Sequence, residues 1–337
     1  MRRIAGALVL AASMGGPADA SAQFLSFDQC KTGDEVASDQ REPYQQAALR
    51  FARLAVKQDA AEIHRQLAPD IQRTLTAEQI STTFLLPLAK LTRDLGEPHV
   101  AQSFLVASRG SVADRFVMCG VRGASATLGD KVFVAATSVA KQAHVIIEAD
   151  GANYVMTFVV WLVPGNSDDW RLKGFHAVTT TALGKSAADF QAMARQQRDN
   201  GHAFNAAMLF AEAATLGNYG KSFQTGLWRD FEKEWKAFEL PAELKGTAPF
   251  IWQFDGETFR ILNVRPLAFS SRQLAVIIQS ETPSLADTAM VRAESQRLIA
   301  GFLKKYPEIR DVFDGVVIQA SEPGSNKLFG TTETFKK

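Results

Sequence analysis

The sequence predicts an α+β protein, and three observations carry that expectation. Apolar residues recur at three- and four-residue spacing up to about residue 95, alternate with polar ones from about 100 to 180, and go through the same change of period again over residues 186–337. The alternating stretches are separated by turn-forming breaks such as Asp150-Gly151 and Pro164-Gly165-Asn166-Ser167. With 46% apolar residues in a 337-residue chain, there is enough material for more than one hydrophobic core.

Taken in order, the chain begins with Arg2 and Arg3, an apolar run from Ile4 to Ala12, and the small-residue triplet Ala20-Ser21-Ala22. That is the pattern of a secretory signal peptide over residues 1–22, cleaved near Ala22. The expected location is therefore periplasmic or secreted. The apolar run is too short to cross a bilayer, and no later stretch is long enough, so no transmembrane segment is expected in the mature chain. Residues 1–22 hold two arginines and one aspartate, and without them the charges balance at 35 against 35. A neutral chain with no basic stripe interleaved with aromatics argues against nucleic acid as a partner.

Residues 23–38 read as a polar leader. Ser38 or Asp39 then caps a helix whose Tyr44, Ala47, Ala48, Phe51, Leu54 and Ala55 fall on one face. A shorter helix follows over residues 60–67 and stops at Pro69. Thr76 and Gln79 have capping-box spacing for a third, with Ile80, Phe84, Leu88 and Leu91 on one side as far as Gly96 and Pro98. Strands are expected near 100–107, 115–122, 131–138, 142–148, 153–163 and 169–180, as consecutive members of one antiparallel sheet, with a further break at Gly110. In the last strand, strict alternation puts Trp170, Leu172, Gly174, His176 and Val178 on one face, and Arg171 and Lys173 on the other.

Helices followed by long hairpins, a closing strand reading Trp170-Arg171-Leu172-Lys173-Gly174-Phe175, and the stretch Leu75-Thr76-Ala77-Glu78-Gln79-Ile80 at the third helix start together resemble the NTF2-like superfamily, in its exported bacterial form. The resemblance covers roughly residues 39–182. It implies a cone of helices over a curved sheet, with a pocket inside the cone and no particular reaction.

Beyond it, residues 186–245 read as a helical connector. Ser186 with Asp189 caps one helix, Ala203 to Ala214 form a second, and Trp228, Phe231, Trp235 and Phe238 mark a third. Residues 247–337 read as a small β-β-β-α-β domain. Its strands at Phe250–Phe254 and Phe259–Val264 flank an Asp255-Gly256 hairpin turn; a strand through Leu274, Val276 and Ile278 follows, then a helix capped by Ser284 with Asp287, and a return strand from Phe313 to Ala320.

Several motifs suggest chemistry and fail on context. Gly184-Lys185-Ser186 looks like the end of a phosphate loop, but the position that should hold the first glycine is Thr179. Ser138-Val139-Ala140-Lys141 and Lys31-Thr32-Gly33 resemble β-lactamase elements, but in the wrong chain order and on the wrong elements. His64, His99, His144, His176 and His202 form no metal-ligand pair, so neither a metal nor a cofactor is expected. Cys30 and Cys119 are the only cysteines. Bridged, they close a long loop worth about 4 kcal/mol on the chain-entropy model; the other arrangement is two unpaired thiols.

His176 is the one candidate for chemistry. Within an NTF2-like cone it shares the concave face with Trp170, and Tyr44 on the first helix faces the same cavity, so these three are the expected pocket residues. A histidine there serves as acid or base in an isomerase, dehydratase or hydrolase; the plainer role is a core histidine bonded to a main-chain carbonyl. One polar residue in an apolar pocket is not a catalytic set. The expectation is therefore an exported non-catalytic protein that binds a small apolar molecule or an envelope protein.

Overall fold

The computed structural model describes residues 29–107, 115–125, 127–166, 169–270 and 273–335. The signal-peptide segment, the first part of the leader, and the expected breaks at Gly110 and Ser167 lie outside the described residues. The fold is α+β. The chain forms two compact units: one contains residues up to Thr180 together with Asn218–Arg229, and the other contains Thr181–Gly217 and the chain from Asp230 onward. Residues 186–245 are thus not a unit of their own, since their middle belongs to the first unit and their flanks to the second.

The first unit opens with strand β1 (Gln29–Thr32) and helices α1 (Ser38–Val56), α2 (Ala60–Arg65) and α3 (Pro69–Gln72). The helix expected to run from Thr76 to Gly96 is broken into α4 (Ala77–Gln79), a π-helical turn (Ile80–Leu85) and α5 (Leu86–Leu88). Its start has the expected capping box of Thr76 and Gln79. Pro87 supplies the physical reason for the break: it has no N–H to continue the ladder, and the preceding Leu86 N–H bonds five residues back to Ser81.

Strands β2 (His99–Ala107), β3 (Arg115–Ser125), β4 (Gly129–Ala136), β5 (Lys141–Asp150), β6 (Val155–Pro164) and β7 (Trp170–Thr179) follow. They do not make one sheet as expected. β2 pairs with β5, giving the order β1-β2-β5-β6-β7, while β3 and β4 form a separate sheet with β10 (Phe223–Thr225) in the order β10-β4-β3. The burial of β5 explains why, because residues 142–147 are buried without alternation, and that pattern needs cover on both faces. Ala143, Val145 and Ile147 pack with Tyr44, Phe51 and Phe158 under the helices. Ile146 packs with Phe104, Val106, Val132 and Phe223 under the second sheet. Cys30 on β1 and Cys119 on β3 form a disulfide with their Cα atoms 5.4 Å apart, tying the two sheets together.

The second unit begins with a tight hairpin of β8 (Thr181–Ala182) and β9 (Lys185–Ser186), turned at Leu183 and Gly184 with φ of 56° and 69°. Helices α6 (Ala187–Asp199) and α7 (Ala203–Gly217) follow, then the last part of α8 (Gly226–Ala237). Ser186 and Asp189 form the expected capping box on α6. Strands β11 (Phe250–Phe254), β12 (Glu257–Ser270) and β13 (Gln273–Glu281), helices α9 (Thr288–Lys305) and α10 (Ile309–Val312), and strands β14 (Gly315–Ser321) and β15 (Phe329–Thr334) complete it. The five strands stand in sequence order, with only β13 and β14 parallel, since α9 connects them. Asp255 and Gly256, at φ of 50° and 85°, make the expected hairpin turn. Residues 247–337 differ from the expected β-β-β-α-β by the short α10 and by β15, a polar edge strand with no hydrophobic alternation to announce it. The α9 cap is the Asp287 carboxylate, which accepts from Ala289 and Met290 N–H, while Ser284 Oγ accepts from Ala286.

Helix α7 is buried on nearly every side, and Glu212 lies within that burial. Desolvation lifts its carboxyl to about 7, opposed by the positive charge of Arg265 on β12. The unfolded chain loses this proton near pH 4.5 while the folded chain keeps it, so stability falls as pH rises from about 4.5 to about 7. Glu212→Gln should therefore stabilise the protein at pH 8, by up to on the order of 3 kcal/mol, and very little at pH 4.5. Urea unfolding at the two pH values measures this; a difference that does not grow with pH would refute the burial argument.

Candidate functional site

The structure brings two of the three expected pocket residues together. Tyr44 on α1 is fully buried, and its ring meets Trp170 on β7 edge to face at 5.5 Å. Both belong to the core between helices and sheet, which side chains such as Phe51, Phe158 and Leu172 fill.

His176 stands on the opposite face. Along β7 the register runs from Leu172, opposite Leu162, to Gly174, opposite Trp161, leaving Lys173 without a cross-strand partner. This bulge reverses the alternation. Before it, Leu172 faces the helices; after it, Phe175 and Ala177 do, while Val178 faces the second sheet. His176 is paired across the strand with Val159 of the second-sheet core. The expectation that Trp170, Leu172, His176 and Val178 share a face is corrected by this one extra residue.

What His176 holds is the main chain. Its Nε2–H donates to the carbonyl of Asn218 at 3.0 Å. Burial pushes its pKa down, partly offset by that carbonyl, so the charged form of the ring is disfavoured. Gly220 lies against the same ring with φ of 89°, and a Cβ there would come within 2.8 Å of it. The histidine thus latches residues 218–220 to β7, just ahead of the strand β10 that completes the second sheet. His144 has a similar role: fully buried, it meets the Ala135 carbonyl at 2.8 Å and stacks on Trp161 at 5.3 Å, and desolvation lowers its pKa to about 4.

The remaining motifs are structural. Gly184 belongs to the β8–β9 turn, Ser138 to the turn before β5, and Thr32 bonds Glu35 through its N–H and hydroxyl. Among the described residues no group of three or more His, Cys, Asp or Glu gathers as a metal site would require.

A concave site appears where the sequence marked none, in the second unit. The end of α6, the start of α7 and the end of α8 enclose a crevice of about 520 Å³, within the range of small-molecule sites. Its apolar lining comes from Ala203, Ala237, Phe238, Leu240, Pro241 and Ala242. Aromatics at the end of α8 and just beyond it fix one wall: Phe238 stacks on Trp235 at 5.9 Å and meets Phe210 at 5.2 Å, with Phe231 stacked behind Trp235 at 6.4 Å. The rim is charged. Glu234 accepts from Gln191, Arg195 and Arg198, and those bonds hold its carboxyl below the usual range. Lys245 reaches Glu239 at 2.8 Å, both largely exposed, an ion pair of little intrinsic strength. The only hint in the sequence was the spacing of Phe231, Trp235 and Phe238, which fits a core as readily as a binding face.

The latch can be tested by a double-mutant cycle. Gly220→Ala should cost about 1–3 kcal/mol, from the positive φ and the contact with the His176 ring. In a His176→Ala background the steric part of that cost should vanish, leaving only the backbone strain. Denaturant unfolding of the four proteins gives the coupling; additive costs would show that the ring does not press on residue 220. Comparison of the chain with protein-family models, with curated proteins and with solved structures found no match.

Proposed function

We propose that this is an exported, non-catalytic binding protein, distantly of the NTF2-like kind in its first unit, and that it takes a small, largely apolar molecule in the crevice at the end of α8. The observation that carries the reading is the composition of that crevice: an apolar floor backed by a fixed aromatic stack, with charges confined to the rim. This is how small-molecule sites combine affinity with orientation. The Cys30–Cys119 disulfide supports the exported location, because such bridges persist in oxidising compartments. The side chains packed between helices and sheet in the first unit direct a ligand of this class to the second unit instead.

Ala237 is exposed at the mouth of the crevice, so Ala237→Trp should fill the site without disturbing the core. Medium-chain alcohols at about 100 times their dissociation constant should stabilise the parent by about 2.7 kcal/mol, a rise of several degrees in Tm. The Ala237→Trp variant should show no rise. Scanning calorimetry decides the matter: equal shifts in both proteins, or none in the parent with any alcohol, would sink the proposal.

A further inference from the structure

The first unit carries a second concavity, of opposite character, around Trp170. It has a volume of about 270 Å³ and is lined by the side chains of Arg50, Arg65 and Arg171, with Glu62 and Asp169 beside them and Trp170 in the wall. Its two sides come from different parts of the chain and are fastened to each other. Leu172 N–H donates to the Gln66 carbonyl at 2.8 Å, and Ala68 N–H to the Leu172 carbonyl at 2.8 Å, so the α2–α3 junction is hydrogen-bonded onto the edge of β7. Arg171 also donates to the Arg65 carbonyl at 2.9 Å. From below, Tyr44 holds Trp170 by its edge-to-face contact. The crevice is therefore formed before any ligand arrives, which lowers the cost of binding.

Its guanidinium groups are not equally engaged. Glu62 is engaged by Arg65 and by Gln66, and Asp169 by Arg171 at 2.6 Å. The third guanidinium, Arg50 on α1, has no hydrogen bond or ion pair among the described residues, only a through-space pull that helps lower the Glu62 pKa. Three guanidinium groups and two carboxylates line the crevice, with Asp59 acting on Arg65 from outside the lining; Arg50 is the one not engaged by a carboxylate, a fork of donors suited to one, next to an indole suited to a flat ring.

From this we infer a second binding site, for a small aromatic monocarboxylate, in which Arg50 grips the carboxylate and Trp170 packs against the ring. One unengaged guanidinium matches a monoanion; a dianion would bring a second negative charge beside Glu62 and Asp169 with no free cation in the lining to meet it. The inference stands independently of the apolar crevice in the second unit.

The test uses the full-length Ala237→Trp protein, in which the second-unit crevice is filled, so that any binding seen is read at the first unit. Isothermal titration compares benzoate, the neutral benzamide and the dianion phenyl phosphate. Benzoate should bind at least about ten-fold more tightly than either, as loss of a charged hydrogen-bond partner implies. Arg50→Gln should weaken benzoate about ten-fold while leaving Tm unchanged, since Arg50 is exposed, and Arg50→Lys should restore part of the loss. Trp170→Leu should weaken benzoate and benzamide alike. Benzoate and benzamide binding equally, phenyl phosphate binding best, or an Arg50→Gln variant that still binds benzoate at full strength would each overturn the inference.

Discussion

The first unit depends on one constraint: its central sheet is buried on both faces. Once β5 and β6 are covered by helices on one side and by a second sheet on the other, every residue of those strands must suit one of two cores. A side chain cannot be moved to the other face without exchanging an apolar partner for a mismatched one. This makes the Lys173 bulge decisive. Without the extra residue, His176 would point into the packed layer beneath the helices, and the carbonyl of Asn218 would lose its donor. Lys173 itself pairs with Asp70, outside both cores.

The second unit solves a different problem. Its sheet is covered by α9, and its central aromatic, Trp252, is buried among Phe204, Phe254 and Phe302, with its indole N–H on the Glu243 carbonyl at 2.9 Å. Burial of that side chain is complete because its one polar atom is satisfied. Trp235 and Phe238 are only partly enclosed, and that incompleteness gives the unit a concave surface.

Signals in the sequence are legible where their cause is local. The Asp255-Gly256 turn and the capping boxes at Thr76 and Ser186 depend on residues two to three positions apart, and each is where its chemistry places it. The strand segments were visible for the same reason. Their pairing was not, because whether β2 meets β3 or β5 depends on what covers β5. Nor was β10, three residues whose strand character comes only from their partner β4. The bulge at Lys173 and the π turn before Pro87 are single-residue departures from a period, and a pattern of alternation averages over them. The crevices are not legible beyond the aromatic spacing on α8, since each joins residues from three separate elements and no spacing along the chain records their meeting.

The return of Asn218–Arg229 to the first unit makes that unit discontinuous in sequence. A gene fragment ending at residue 182, where the resemblance to a known superfamily stops, would encode helices α1 to α5 and seven of the unit's eight strands but leave β4 with an open edge and His176 with no carbonyl to hold. Helices α6 and α7 are thus an excursion within the first unit's own chain, and no single cut separates the two units. For anyone recombining, truncating or tracing the ancestry of this protein, the heritable module is the whole chain through β10, with the second unit beginning inside it.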